Sequence, residues 1–130
     1  MGRGEHRGRW QITFQKYPKL NPDRDYFKLP NCLFSLGLSA GEIAVYSYLL
    51  RCENREHYTC HPSYRAIGKA VGLSKNTVQK HVNALKDKGL IETKSTTVKL
   101  KTGVICNGNL EFTIFPIQSA LELYNERQAC

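Results

Sequence analysis

The stretch Pro62-Ser63-Tyr64-Arg65-Ala66-Ile67-Gly68-Lys69-Ala70-Val71-Gly72-Leu73-Ser74-Lys75-Asn76-Thr77-Val78 decides how this chain is read. Pro62 and Ser63 open a helix, since proline is tolerated in or just before the first turn, where its missing amide would find no partner anyway. Ile67, Ala70 and Val71 supply the buried side of that helix. Gly72 stops it, because glycine enters the left-handed conformation of a helix C-terminus without a Cβ clash. Only Leu73 then precedes Ser74, an N-cap residue whose hydroxyl accepts a free amide of the next turn. From there Val78, Val82 and Leu85 fall on one apolar stripe of a helix over 75–88. Lys86 and Lys88 suit its last turn through the helix dipole, and Gly89 ends it.

Upstream, Ser39-Ala40-Gly41-Glu42 is a capping box, with Leu38 and Ile43 placed to staple the entry. Ile43, Tyr46, Leu49 and Leu50 recur at helical spacing, so a helix is expected from about Ala40 to Arg51. Residues 53–61 read as a polar connection. Before the box, Tyr26 to Pro30 is extended, since Pro30 pushes Leu29 out of helical geometry. Downstream of Gly89 the period becomes strand-like: residues 90–101 and 104–115 are rich in Thr, Val, Ile and Phe. Thr102-Gly103 and Asn107-Gly108 are both turn signals. Pairing Ile91 with Ile114 favours the first, and leaves Asn107-Gly108-Asn109 as a bulge. Pro116 ends the second strand, and Ile117, Ala120, Leu121 and Tyr124 recur as an amphipathic helix. Two short helices on a tight glycine turn form a helix-turn-helix. The expected class is α+β: a three-helix core, a long β-hairpin and a C-terminal helix. The expected divisions are a flexible basic arm over 1–25, a domain over 26–116 and the helix over 117–130.

The chain has 130 residues, suiting one domain, and a net charge of +8 that is unevenly placed. Residues 62–101 hold nine basic and two acidic side chains, and residues 1–28 hold seven and three. A localised excess of this kind points to a polyanionic partner. Five cysteines without a secretory signal are expected as reduced thiols. The cluster Cys52, His57, Cys60 and His61 lacks a CxxC pair, so no metal is expected, and Cys60 and His61 read as loop residues. No apolar run approaches the roughly 20 residues of a membrane helix, which makes a cytoplasmic protein the expectation. No Walker loop, HExxH, GxSxG or CxxC occurs, so neither an enzyme nor a cofactor is expected.

The run from Pro62 to Val78, with Leu85 and the exit Gly89-Leu90-Ile91, resembles the DNA-binding half of winged helix-turn-helix proteins, notably GntR-type regulators. The approach through Leu29-Pro30-Asn31 and Leu38-Ser39 to Tyr46 looks closer to helix-turn-helix domains of plasmid and phage replication initiators. The resemblance covers about residues 26–115. It departs from GntR-type regulators after Pro116, where only 14 residues follow, too few to enclose a small molecule; no small-molecule ligand is therefore expected.

The resemblance implies that helix 75–88 enters the major groove of double-stranded DNA. Opposite its apolar stripe stand Lys75, Asn76, Gln79, Lys80 and Asn83, residue types that read base edges. Ser74 and Thr77 lie at the amino end, where hydroxyls and free amides hold a phosphate. The resemblance also puts Tyr64 and Arg65 near the phosphate backbone. Lys94, Lys99 and Lys101 of the hairpin reach backbone or minor groove. His81, beside the stripe, packs or touches phosphate. Ile117, Leu121 and Tyr124 either pair two copies across a two-fold axis or fold back on their own domain. Two other readings stay open: a protein-interaction module relying on the C-terminal helix, and a single-strand or RNA binder using the arm, where Trp10, Ile12 and Phe14 alternate with polar residues.

Overall fold

Ser39 starts the first long helix as its neighbours require. Its side chain accepts the Glu42 amide at 3.2 Å, and its own amide and hydroxyl donate to the Glu42 carboxylate at 3.4 and 2.8 Å. Such a cap stabilises a helix by roughly 1 kcal/mol. The helix, α1, spans Ala40–Cys52 and buries Val45, Tyr46 and Leu49. A short 3-10 helix at Asn31–Ser35 precedes it and puts Leu33 into the core. This computed structural model describes residues 25–54 and 56–129. The arm expected over 1–25, with Trp10, Ile12 and Phe14, lies, Asp25 aside, outside the described residues.

Helix α2, Tyr64–Val71, is capped by Ser63 and ends at Gly72, whose φ of 75° is the left-handed value its position demands. Helix α3, Lys75–Asp87, begins at once on the Ser74 cap. Its stripe of Val78, Val82 and Leu85 is fully buried against α1 and α2. One detail of α2 differs from expectation. Ala70 is exposed, and Gly68 occupies the buried face instead. The chain after the turn doubles back so closely that a Cβ on residue 68 would collide with the Leu73 carbonyl oxygen. The Leu73 amide also donates to the Gly68 carbonyl at 2.9 Å, which locks the turn.

The strands form two sheets. In the first, β1 (Thr59–Cys60), β5 (Glu111–Ile114) and β2 (Ile91–Lys94) lie in the order β1-β5-β2, all antiparallel. The second is a two-stranded ribbon of β3 (Thr97–Lys99) and β4 (Ile105–Asn107) that continues the β2–β5 hairpin outward. Ile91 pairs with Ile114 as anticipated. Between the pairs Lys94–Glu111 and Thr97–Asn107, two residues oppose three, so a bulge falls at 108–110. There the Gly108 amide donates to the Thr96 carbonyl at 2.8 Å. The tip turns through Lys101, Thr102 and Gly103.

Strand β1 corrects the reading of 53–61 as a polar connection. Tyr58 takes a left-handed φ of 58° and hands the chain from Asn54 to Thr59, whose neighbour Cys60 is a buried core residue. The Cys60 thiol donates to the Leu49 carbonyl at 3.6 Å, and burial pushes its pKa up to about 12. The last helix, α4 (Ile117–Ala129), returns to the body. Ala120 is buried, and Ile117, Leu121 and Tyr124 are half-buried against the core. In this single chain the stripe rests in part on its own domain. Arg127 fastens the end of α4 to the Asp87 carboxylate and carbonyl at 3.3 and 3.1 Å.

Candidate nucleic-acid interface

The amino end of α3 is set by Ser74, whose hydroxyl accepts the Thr77 amide at 3.2 Å and lies 2.8 Å from the Thr77 hydroxyl. The two hydroxyls expected to hold a phosphate are thus tied to each other, and Thr77 is half-buried. Burial of the stripe turns the opposite arc outward. Lys75, Asn76, Gln79, Lys80 and Asn83 are all exposed, as the spacing anticipated. His81, on the flank, packs at the start of α1, where its ring fills the space a Cβ on Gly41 would need.

Tyr64, Arg65 and Lys75 come together with Pro62, Ser63, Phe112 and the bulge residues Gly108, Asn109 and Leu110 around one cleft of about 320 Å³. It lies between the amino ends of α2 and α3 and the base of the hairpin. Tyr64 is half-buried, its ring 6.4 Å from that of Phe112, and burial raises its pKa. It therefore serves the core as well as the surface. The bulge residues of this cleft were not among the candidates; the signal that could have found them was the bulge itself. Beside the cleft the Asn109 side chain donates to the His61 carbonyl at 3.2 Å, and the His61 ring lies 3.2 Å from Glu111. Lys94 leaves β2 directly across from Glu111. Lys99 and Lys101 stand apart from it, beyond the bulge on the outer ribbon.

Charge is sorted over the surface. At the carboxyl end of α3, Lys86 meets Glu92 at 3.7 Å, and Asp87 meets Arg127. Lys88 reaches the buried Glu42 carboxylate at 2.5 Å and the Gly37 carbonyl at 3.3 Å. Burial pushes the Glu42 pKa up, but the hydrogen bonds from Lys88 and Ser39 and the Lys88 charge outweigh it, and the net shift is downward. By contrast, Arg65, Lys75, Lys80, Lys94, Lys99 and Lys101 form no ion pair with any described carboxylate. Among the described residues, no three His, Cys, Asp or Glu side chains gather as a metal cage, and no helix is long and apolar enough to cross a membrane.

Residues 36–91 match the family model described as a helix-turn-helix domain. Of solved structures, a possible transcriptional regulator from Methanosarcina mazei Go1 superposes with a TM-score of 0.51 at 19% identity, over 74% of each chain. The fold is a winged helix-turn-helix. Its three helices are α1, α2 and α3, and the β2–β5 hairpin with its outer ribbon is the wing. A second solved structure, the zinc-responsive MarR family member ZitR of Lactococcus lactis, aligns over 99% of this chain and 75% of its own, at 13% identity and a TM-score of 0.47. No curated protein sequence matches this winged helix-turn-helix chain. Neither the GntR-type nor the replication-initiator relationship is singled out by these comparisons.

Proposed function

We propose that this chain binds double-stranded DNA in a sequence-specific manner, with α3 in the major groove. It would act as a transcriptional regulator or as the DNA-binding domain of a replication initiator. The observation that carries this reading is the sorting of charge. Seven cations on α2, α3 and the wing, the six above and Lys69, form no ion pair with any described carboxylate, while those at the carboxyl end of α3 are paired. Unpaired lysine and arginine release DNA counterions at no cost in broken ion pairs, and the amide side chains of Asn76, Gln79 and Asn83 lie exposed between them. The description of the Methanosarcina mazei protein favours the regulator.

Fluorescence anisotropy on duplexes chosen from a random pool, repeated across salt concentrations, tests the reading. Six phosphate contacts give a slope of log affinity on log salt near −5 (about −0.9 per contact). The double variant Lys75→Ala/Lys80→Ala lowers that slope by about 2. An unchanged slope and affinity would remove α3 from the interface. Gln79→Ala and Asn83→Ala weaken the chosen site by roughly 1–3 kcal/mol per base contact while sparing other sequences.

A further inference from the structure

A second pocket, of about 550 Å³, opens at the carboxyl end of β5, between the last turns of α1, the turn at Tyr58 and the start of α4. That volume lies within the roughly 300–1,000 Å³ of small-molecule sites. Its walls are mainly apolar and aromatic: Tyr46 and Leu50 of α1, Ile117 of α4, Tyr58 and Phe115. Glu53 also lines it, and no lysine or arginine does. The same bias runs through the surrounding chain. All lining residues fall in 29–61 and 102–130; the first stretch holds two basic and three acidic side chains, the second one and three. The Glu53 charge is felt at the pocket wall, since burial and then that charge push the Tyr46 pKa up to about 12. Tyr58 has a φ of 58°, a left-handed conformation that is costly for a bulky residue. Two backbone bonds hold it there: its amide donates to the Asn54 carbonyl at 2.6 Å, and its carbonyl accepts the Ile114 amide at 3.1 Å. Packing of the ring does not offset the strain, because Tyr58 is 59% exposed; Phe115, on the same pocket, is 36% exposed. Strained residues of this kind gather at ligand clamps.

We propose that this pocket binds a small, flat aromatic compound carrying one cationic group. The inference does not depend on the DNA-binding reading above. Aromatic rings suit an aromatic ligand through stacking, and their negative faces attract a cation. The Glu53 carboxylate selects the sign of the ligand's charge, because an anion would meet it with no lysine or arginine among the lining residues to offset the repulsion. A ligand that covers the Tyr58 and Phe115 rings supplies the burial that the fold itself withholds from them. The shortness of the chain after Pro116 is no obstacle, because α1, the Tyr58 turn and β5 form most of the wall.

The test uses tryptamine, with indole-3-acetate as a probe of similar shape and opposite charge. Titrated into the isotope-labelled full chain, tryptamine shifts the backbone amide signals of Tyr58, Thr113 and Phe115 saturably. Its dissociation constant is on the order of 1 mM, the range open to so small a ligand. Indole-3-acetate binds at least about tenfold more weakly. Glu53→Gln abolishes that preference. Tyr58→Gly folds, since glycine takes this φ without strain, as circular dichroism checks, and it binds tryptamine about tenfold more weakly. The proposal is overturned if no signal saturates below about 10 mM, if the shifts fall outside the pocket, if both probes bind the wild type alike, or if Tyr58→Gly binds like the wild type. It is equally overturned if the pocket signals move on diluting the protein alone, which gives the site to a second copy, or on deleting residues 1–24, which gives it to the chain's own amino-terminal segment.

Discussion

Replacing Lys88 by Met removes an ammonium and keeps most of the side-chain volume. What remains is the Glu42 carboxylate, whose side chain is 9% exposed, without the cation 2.5 Å away. Removing one partner of a fully buried pair costs about 3–5 kcal/mol. Here Lys88 is 31% exposed, so water reaches the pair, and the Ser39 amide and hydroxyl still donate to the same carboxylate. Both facts lower the expectation to about 2 kcal/mol, still above the roughly 0–1 kcal/mol of an exposed pair. For a domain of this size that is a fall in Tm of roughly 10 °C.

The pH dependence gives the sharper check. In the wild type the Glu42 pKa is held below its ordinary value of 4.5. Its contribution is therefore complete above the unfolded pKa and lost as pH falls through the folded one. In Lys88→Met burial is no longer outweighed by the ammonium, and the pKa moves upward. The variant is then worst at neutral pH and gains on the wild type as the carboxylate protonates. Urea unfolding at pH 7 and pH 4 measures both gaps. Adding Glu42→Gln to Lys88→Met recovers about half the loss, since no buried charge is left. A loss under about 0.5 kcal/mol, or one equal at both pH values, would refute this account of the pair.

Three further outcomes are expected. Gly68→Ala destabilises the fold by about 1–3 kcal/mol in urea unfolding despite alanine's better helix propensity, because the Leu73 carbonyl must move. Gly41→Ala destabilises the wild type but stabilises a His81→Ala background by about 0.5–1 kcal/mol, because the atoms nearest the new methyl all belong to the histidine ring; the same sign in both backgrounds would contradict this packing. Under a thiol reagent at neutral pH, exposed Cys106 reacts at once, while Cys60, buried and with its pKa pushed up to about 12, reacts at the rate of unfolding.

Most of the fold was legible because its signals are local. Ser39 with Glu42, Ser63, Gly72 and Ser74 each mark a helix end through a bond to a residue a few positions away, and the structure keeps every one. Pairing Ile91 with Ile114 was legible from two β-rich runs centred on the turn signal Thr102-Gly103. Strand β1 was not, because its entry is made by Tyr58 in a conformation that tyrosine gives no sign of adopting. Gly68 was passed over in favour of Ala70, since periodicity measures hydrophobicity and not the nearness of the Leu73 backbone. The outward arc of α3 followed from its stripe. The cleft around Tyr64, Arg65 and Lys75 did not, because it needs residues 108–110 brought across from the far end of the wing. Nor did the link from Lys88 to Glu42, 46 positions apart.

Strand β5 has a consequence for how the protein is made. It lies between β1 and β2, yet it is translated after both. Until Ile114 has cleared the ribosome, Cys60 and Ile91 have no strand to pair with, although α1, α2 and α3 are already present. A chain halted before residue 111 therefore carries α3 and its outward arc on a scaffold that cannot close. Phe112, which supports Tyr64 at the edge of the cleft, would be missing as well. Closure of the sheet and of the cleft beside it thus waits on β5, although the three helices are made before it.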